Sequence, residues 1–204
     1  MTNTNDSKKD LILKTARELL AQNGFAKTTL DDIAGALGMK KSSLYYYYEN
    51  KDDLIQDVMI KEEEKFFTEV YKDLSKQIPA IDKIIKFELA KFKYVAETSK
   101  MYIMTPNLFI DFKTKLFEYL KQVRAKELNI LTEIITKGIE DKEIIKCDSK
   151  KVANLLLTIS ESLRHREFYY AAFSVTKEIN FDNAVEEMTF AIKMIFEGLK
   201  TKKL

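Results

Sequence analysis

Between Lys40 and Lys51 the chain reads Lys-Lys-Ser-Ser-Leu-Tyr-Tyr-Tyr-Tyr-Glu-Asn-Lys, a run of hydrogen-bond donors and flat rings. Each type suits a part of duplex DNA. A lysine ammonium can donate to guanine O6 or N7, a serine hydroxyl can bond either base type, and a tyrosine ring can meet a thymine methyl. Helical spacing sorts these residues. Leu44 and Tyr48 lie four apart and anchor the segment in a small core. Lys41, Ser42, Ser43, Tyr45, Tyr46 and Tyr47 are left facing outward or sideways. Lys40, Lys51, the tyrosine hydroxyls and the backbone cap at Thr29 suit phosphates, which position a protein without reading sequence. Three lysines against one glutamate make residues 38–51 locally basic, whereas the whole chain has a formal net charge of only +2. Without a global positive field, any nucleic-acid contact must come from this cluster.

Short helices are needed to position that run. Asp6 or Ser7 can cap a first helix, and Ile12, Ala16, Leu19 and Leu20 form its apolar face. Gly24 stops it, and Phe25 turns inward. Thr29 with Asp32 makes a weaker form of the capping box before Leu30, Ile33, Ala34 and Leu37. Gly38 then separates this helix from Lys41–Tyr48, which is helix-turn-helix spacing. Asn50 and Asp53 start a long segment through Ile55, Val58, Phe66 and Tyr71, with a break at Pro79. Further helical patterns run over about 80–97, 111–137, from a cap at Ser149 to about Ala172, and from Asn180 or Asp182 to near Gly198. Five glycines and two prolines in 204 residues argue for long helices rather than tight sheet turns. The expected fold is therefore all-α. A head spans residues 1–50, with 1–6 a disordered arm, and runs without a flexible linker into a larger helical body over 51–204.

The stretch from Thr28 to Leu54 resembles the TetR family of bacterial repressors. Thr28, Thr29, Leu30, Ile33, Ala34, Gly38, Ser43, Leu44, Tyr45, Tyr47, Asn50, Lys51 and Leu54 match the family pattern. The resemblance covers about the first quarter of the chain, and beyond it helix number, length and order agree. It implies a helix-turn-helix DNA-binding head on a helical dimer, a palindromic operator, and a body that holds a small-molecule effector. Lys40 departs from the pattern, standing where the family usually has a capping serine.

Catalysis finds no support in the sequence. His165 sits between Arg164 and Arg166 with no evident partner, and its expected role is structural. Cys147 is the single cysteine, so an intramolecular disulfide is excluded, and an incidental thiol is expected. One histidine and one cysteine without ligand spacing make no metal site, and no cofactor is expected. No apolar run is long enough to span a bilayer, which points to a cytoplasmic protein.

Aromatic residues concentrate on the segments that, by the resemblance, surround the effector cavity. Phe66, Tyr71, Phe87, Tyr94, Tyr102, Phe109, Phe112 and Phe117 are its expected lining, suited to a mostly apolar or amphipathic molecule. The last two helices are apolar over most of their girth and need cover on two sides. Leu156, Ile159, Leu163, Met188, Ile192, Ile195 and Leu199 are the expected dimer stripes. Two helices from each chain would form a four-helix interface, placing two reading helices about 34–36 Å apart. The expected function is a ligand-released repressor. The competing readings are an enzyme with a helical body, and an interaction or DNA-binding module without an effector.

Overall fold

The structure is a computed structural model that describes the backbone of residues 3–99, 106–173 and 179–199, with side chains over 7–99, 117–173 and 179–199. Among these residues there are eight helices: α1 (Asn3–Asn23), α2 (Leu30–Ala36), α3 (Lys41–Tyr45), α4 (Lys51–Leu74), α5 (Ala80–Ser99), α6 (Pro106–Glu140), α7 (Ser149–Phe173) and α8 (Asp182–Glu197). The chain divides into two compact units. One comprises Met1–Glu69 with Glu97–Thr114, the other Val70–Ala96 with Lys115–Leu204.

The N-terminal unit is closed by apolar faces that the helical period marks. Ile12, Ala16, Leu20, Phe25, Ile33, Ala34, Leu44, Leu54, Ile55 and Val58 are all buried. Each such large side chain contributes about 1.5–3 kcal/mol by leaving water. Gly24 and Gly38 adopt positive φ, +75° and +63°, and end α1 and α2 in the left-handed turn that other residues resist. Asn50 caps α4 as its spacing requires: its Oδ1 accepts from the Asp53 amide at 2.9 Å, and its amide donates back to Asp53 Oδ2 at 2.8 Å.

Two expectations about this unit need correction. α1 begins at Asn3, so residues 3–6 are helical rather than a disordered arm. Polar side chains lower helix propensity by only a few tenths of a kcal/mol each, too little to stop a helix short of the chain end. The boundary at residue 50 also fails, because the first part of α4 belongs with the head. Its Leu54, Ile55 and Val58 are buried there, and α1 grips it through Lys9–Asp57 (2.8 Å), Arg17–Glu62 (2.8 Å) and Asp10–Lys61 (3.2 Å).

The C-terminal unit is built on Ile84, Phe87, Phe92, Ile130, Leu131, Ile135, Leu156, Leu157, Met188, Ile192 and Phe196, all buried. Asp148, not Ser149, caps α7: its Oδ1 accepts from the Lys151 amide at 3.0 Å. Adjacent candidates differ by one residue, and the geometry of the preceding turn selects between them. At α8, Asn180 Oδ1 accepts from the Asp182 amide at 2.7 Å, so both residues named from sequence take part.

A polar network crosses this apolar interior. Lys91 Nζ donates to Glu88 Oε1 at 3.0 Å and lies 3.4 Å from Glu127 Oε2. The Ser160 hydroxyl donates to Glu88 Oε2 at 2.7 Å, and Arg164 donates to Ser160 at 2.9 Å. The network ties α5, α6 and α7 together; Glu88, Lys91, Glu127 and Ser160 are buried, and Arg164 is half-buried.

Near the C-terminal end of α6 two elements approach closely. A Cβ on Gly138 would lie 2.7 Å from Ile144 Cδ1 and 2.8 Å from Ala80 Cβ. Gly138→Ala is therefore expected to destabilise the unit by about 1–3 kcal/mol through overpacking. Urea denaturation checks this, and an unchanged midpoint would show that the loop carrying Ile144 yields freely.

Candidate nucleic-acid interface

The head presents α3 on a small set of anchors. Thr28 is fully buried, its hydroxyl donating to the Gly24 carbonyl at 3.0 Å. Thr29 caps α2 with a complete capping box: its Oγ1 accepts from the Asp32 amide at 3.1 Å, and its own amide donates to Asp32 Oδ2 at 2.8 Å. The Thr29 hydroxyl also reaches that oxygen at 2.6 Å. These bonds from the Thr29 side chain and backbone hold the Asp32 carboxyl below its ordinary range. The stabilisation they bring is present above the ordinary carboxylate pKa and fades as pH falls through the depressed value.

After Gly38, α3 starts at Lys41 without a side-chain cap, since Lys40 in the cap position offers no acceptor. Leu44 is the buried residue of this helix. Lys40, Lys41, Ser42, Ser43, Tyr45 and Tyr46 are exposed, with Tyr46 at 80%. Tyr47 is half-buried, its ring edge-on to Tyr46 at 5.5 Å. Lys41 is ion-paired with Asp31 of α2, which pushes its pKa up through that hydrogen bond. Seven of the nine residues expected to meet DNA, Lys40 to Tyr47, thus lie on or beside one short helix, and the eighth, Thr29, is the exposed cap of α2.

The ninth, Lys51, has a different position. Its ammonium donates to the Phe25 carbonyl and lies 4.1 Å from the Phe25 ring centroid. Burial lowers its pKa. Tyr48 is buried as the four-residue spacing requires, and its hydroxyl donates to Asp57 Oδ2 at 2.9 Å, a contact that sequence spacing does not reveal.

The residues expected to line an effector cavity fall in both compact units. Phe87 is sealed in the C-terminal core beside Lys91, whose ammonium lies 5.3 Å from its ring centroid. Phe66 is buried in the N-terminal unit, Tyr94 is half-buried, and Phe117 is 63% exposed. Tyr71 rims a surface depression of about 350 Å³ with Leu74, Ile78, Lys83, Glu133 and Lys137. Tyr102, and the side chains of Phe109 and Phe112, lie outside the described residues.

The residues of the expected dimer stripes divide between core and surface. Leu156, Met188 and Ile192 are buried inside their own unit, and Ile159, Leu163, Ile195 and Leu199 are half-buried. Leu155, Phe168, Tyr169, Tyr170, Phe173, Phe190 and Met194 of the same helices are exposed. The most regular stripe of an amphipathic helix serves its own core first, leaving the less regular face for other contacts.

Among the described residues no cluster of histidine, cysteine, aspartate or glutamate could hold a metal ion, and no helix is long and apolar enough to cross a membrane. His165 is exposed, and burial pushes the half-exposed Cys147 thiol up in pKa.

The family model described as bacterial regulatory proteins, tetR family, matches residues 12–58, which span α1 to the first part of α4. A fatty acid metabolism regulator protein of Bacillus subtilis (strain 168) is 24% identical over 154 residues, covering 74% of this chain and 79% of that protein. The biofilm operon icaADBC HTH-type negative transcriptional regulator IcaR of Staphylococcus aureus (strain Newman) is 26% identical over 172 residues, covering 83% and 89%. A crystal structure of a transcriptional regulator from Cytophaga hutchinsonii ATCC 33406 superposes with a TM-score of 0.84 at 26% identity, over 95% of this chain and 99% of that one. A TetR transcription regulator from Haloarcula marismortui ATCC 43049 shares the fold at a TM-score of 0.74 and 19% identity, over 96% and 100%. These relatives are transcriptional regulators rather than enzymes. The head of the chain thus matches the TetR family of bacterial regulatory proteins, and the chain as a whole is similar to transcriptional regulators of that family.

Proposed function

We propose that the chain is a repressor that acts as a homodimer on a palindromic operator and is released by a small, mostly apolar or amphipathic effector. The observation that carries the DNA-reading part is the exposure of Ser42, Ser43, Tyr45 and Tyr46 on a helix anchored by Leu44. A five-residue helix held from beneath offers its outer face to a major groove, with Lys40 and Lys41 at its start to meet phosphates or guanines. Repression is the activity named for the Staphylococcus aureus relative. Dimerisation is supported by the outward rings of Tyr169, Phe173 and Phe190, which a soluble chain covers. Effector control acts through the C-terminal unit and α4, which continues without interruption from Lys51 to Leu74. A preference of about 1–3 kcal/mol for the non-binding geometry changes operator affinity about 5–150-fold.

Selection of duplexes from a random library with the full chain, followed by fluorescence anisotropy over several salt concentrations, tests the proposal. Wild type is expected to prefer one palindrome, with a steep salt dependence. Lys40→Ala is expected to weaken binding to all duplexes and lower the salt slope by about one, while Tyr46→Ala costs about tenfold on the palindrome. Equal affinity for all duplexes would overturn the reading.

A further inference from the structure

The reading helix is short and has one buried side chain, Leu44. A single anchor leaves a helix free to swivel about it, whereas base recognition requires side chains held to within about 0.5 Å and 10–20°. Lys41's ion pair with Asp31 is exposed on both sides and adds little against that swivel. The second anchor is Tyr48, whose amide donates to the Leu44 carbonyl at 3.0 Å and whose ring is buried. Its hydroxyl donates to Asp57 Oδ2 of α4 at 2.9 Å, and the same oxygen receives the Lys9 ammonium of α1 at 2.8 Å. Lys9 Nζ also lies 5.6 Å from the Tyr48 ring centroid. One carboxylate oxygen therefore joins the end of the reading segment to both long helices of the head.

We propose that Asp57, acting through the Tyr48 hydroxyl with Lys9 as its counter-ion, is a positioning residue that sets the orientation of α3 and with it sequence discrimination on DNA. The proposal rests on α3 being the DNA-reading element. The hydroxyl of Tyr48 touches no base; it fixes the axis on which Ser42, Ser43, Tyr45 and Tyr46 are carried. Its removal leaves the phosphate-binding lysines in place, so affinity for arbitrary duplex persists while the preference for one sequence falls.

The test uses the full chain on the palindrome recovered by selection and on a scrambled duplex of equal length, with thermal unfolding of each variant. Tyr48→Phe keeps the ring and removes the bond to Asp57. Its expected result is a fall of about tenfold in the ratio of the two affinities, the size of one mismatched base pair. Affinity for the scrambled duplex and the Tm are expected to stay at wild-type values. Asp57→Asn, which still offers Tyr48 an amide oxygen but no longer holds the Lys9 charge, is expected to lose less than Tyr48→Phe. An unchanged ratio in Tyr48→Phe overturns the proposal, as does a parallel loss of both affinities together with Tm. Tyr46→Ala separates the two readings. If it abolishes the preference while Tyr48→Phe keeps it, α3 reads DNA without this device. If neither variant alters the preference, α3 is not the reading element and the proposal falls with it.

Discussion

Lys91→Met is expected to destabilise the C-terminal unit by about 3–5 kcal/mol, because it strands two buried carboxylates without their counter-ion. The side chains of Lys91 and Glu88 are each 2% exposed and that of Glu127 is 8%, so water cannot take the place of the ammonium. Methionine matches the length of the lysine stem and removes the charge alone, which isolates the electrostatic loss from a cavity. A second variant separates the value of the charges from the cost of breaking them apart. Glu88→Gln, Lys91→Met and Glu127→Leu together remove every charge of the triad but keep an oxygen for the Ser160 hydroxyl to bond. That triple variant is expected to return to within about 1–2 kcal/mol of wild type, since buried ion pairs are often neutral against apolar replacements. Urea denaturation of the three proteins decides the matter. A loss below about 1 kcal/mol in Lys91→Met would mean that the carboxylates find protons or water at low cost.

Phe173→Asp with Phe190→Asp is expected to convert the proposed dimer to a monomer by sedimentation velocity and to leave the fold intact. Both rings are largely outside the core, at 77% and 66% exposure, so the substitutions leave the packing of α7 on α8 untouched. In a two-fold interface each substitution acts twice. At about 2 kcal/mol for each large anchor removed, the association no longer survives at micromolar concentration. Loss of the second head is expected to weaken operator binding by at least about 100-fold, the usual gain from linking two sites. The opposite choice, Met188→Asp, would place a carboxylate in the core and unfold the unit, which is why the buried stripe cannot serve as the test. A variant pair that stays dimeric would move the interface off this face.

The head was largely legible from sequence because its signals are local. A capping threonine with an acidic partner three residues on, glycines at turns that demand positive φ, and leucines at helical spacing each state a rule satisfied within a few residues. The structure realises the Thr29–Asp32 box, the Gly24 and Gly38 turns and the Asn50–Asp53 cap at those positions. Lys51 was read from its spacing as a phosphate contact, and the spacing does not reveal its contact with the Phe25 carbonyl, 26 residues away. Tyr48 was read correctly as core, while the bond from its hydroxyl to Asp57 depends on where α4 runs.

By itself the sequence determined that the chain is helical and where its helices start and stop to within a few residues. Periodicity and capping are properties of neighbouring residues, and no distant contact is needed to enforce them. The tertiary structure decided which of two apolar faces on α7 and α8 closes the core and which is left outward. It also decided that Glu88, Lys91, Glu127 and Ser160 meet inside the bundle and that Asp57 joins three segments of the head. Helical spacing says which residues share a face, but the partner of that face is set by how the helices cross, and that angle is a property of the packed whole.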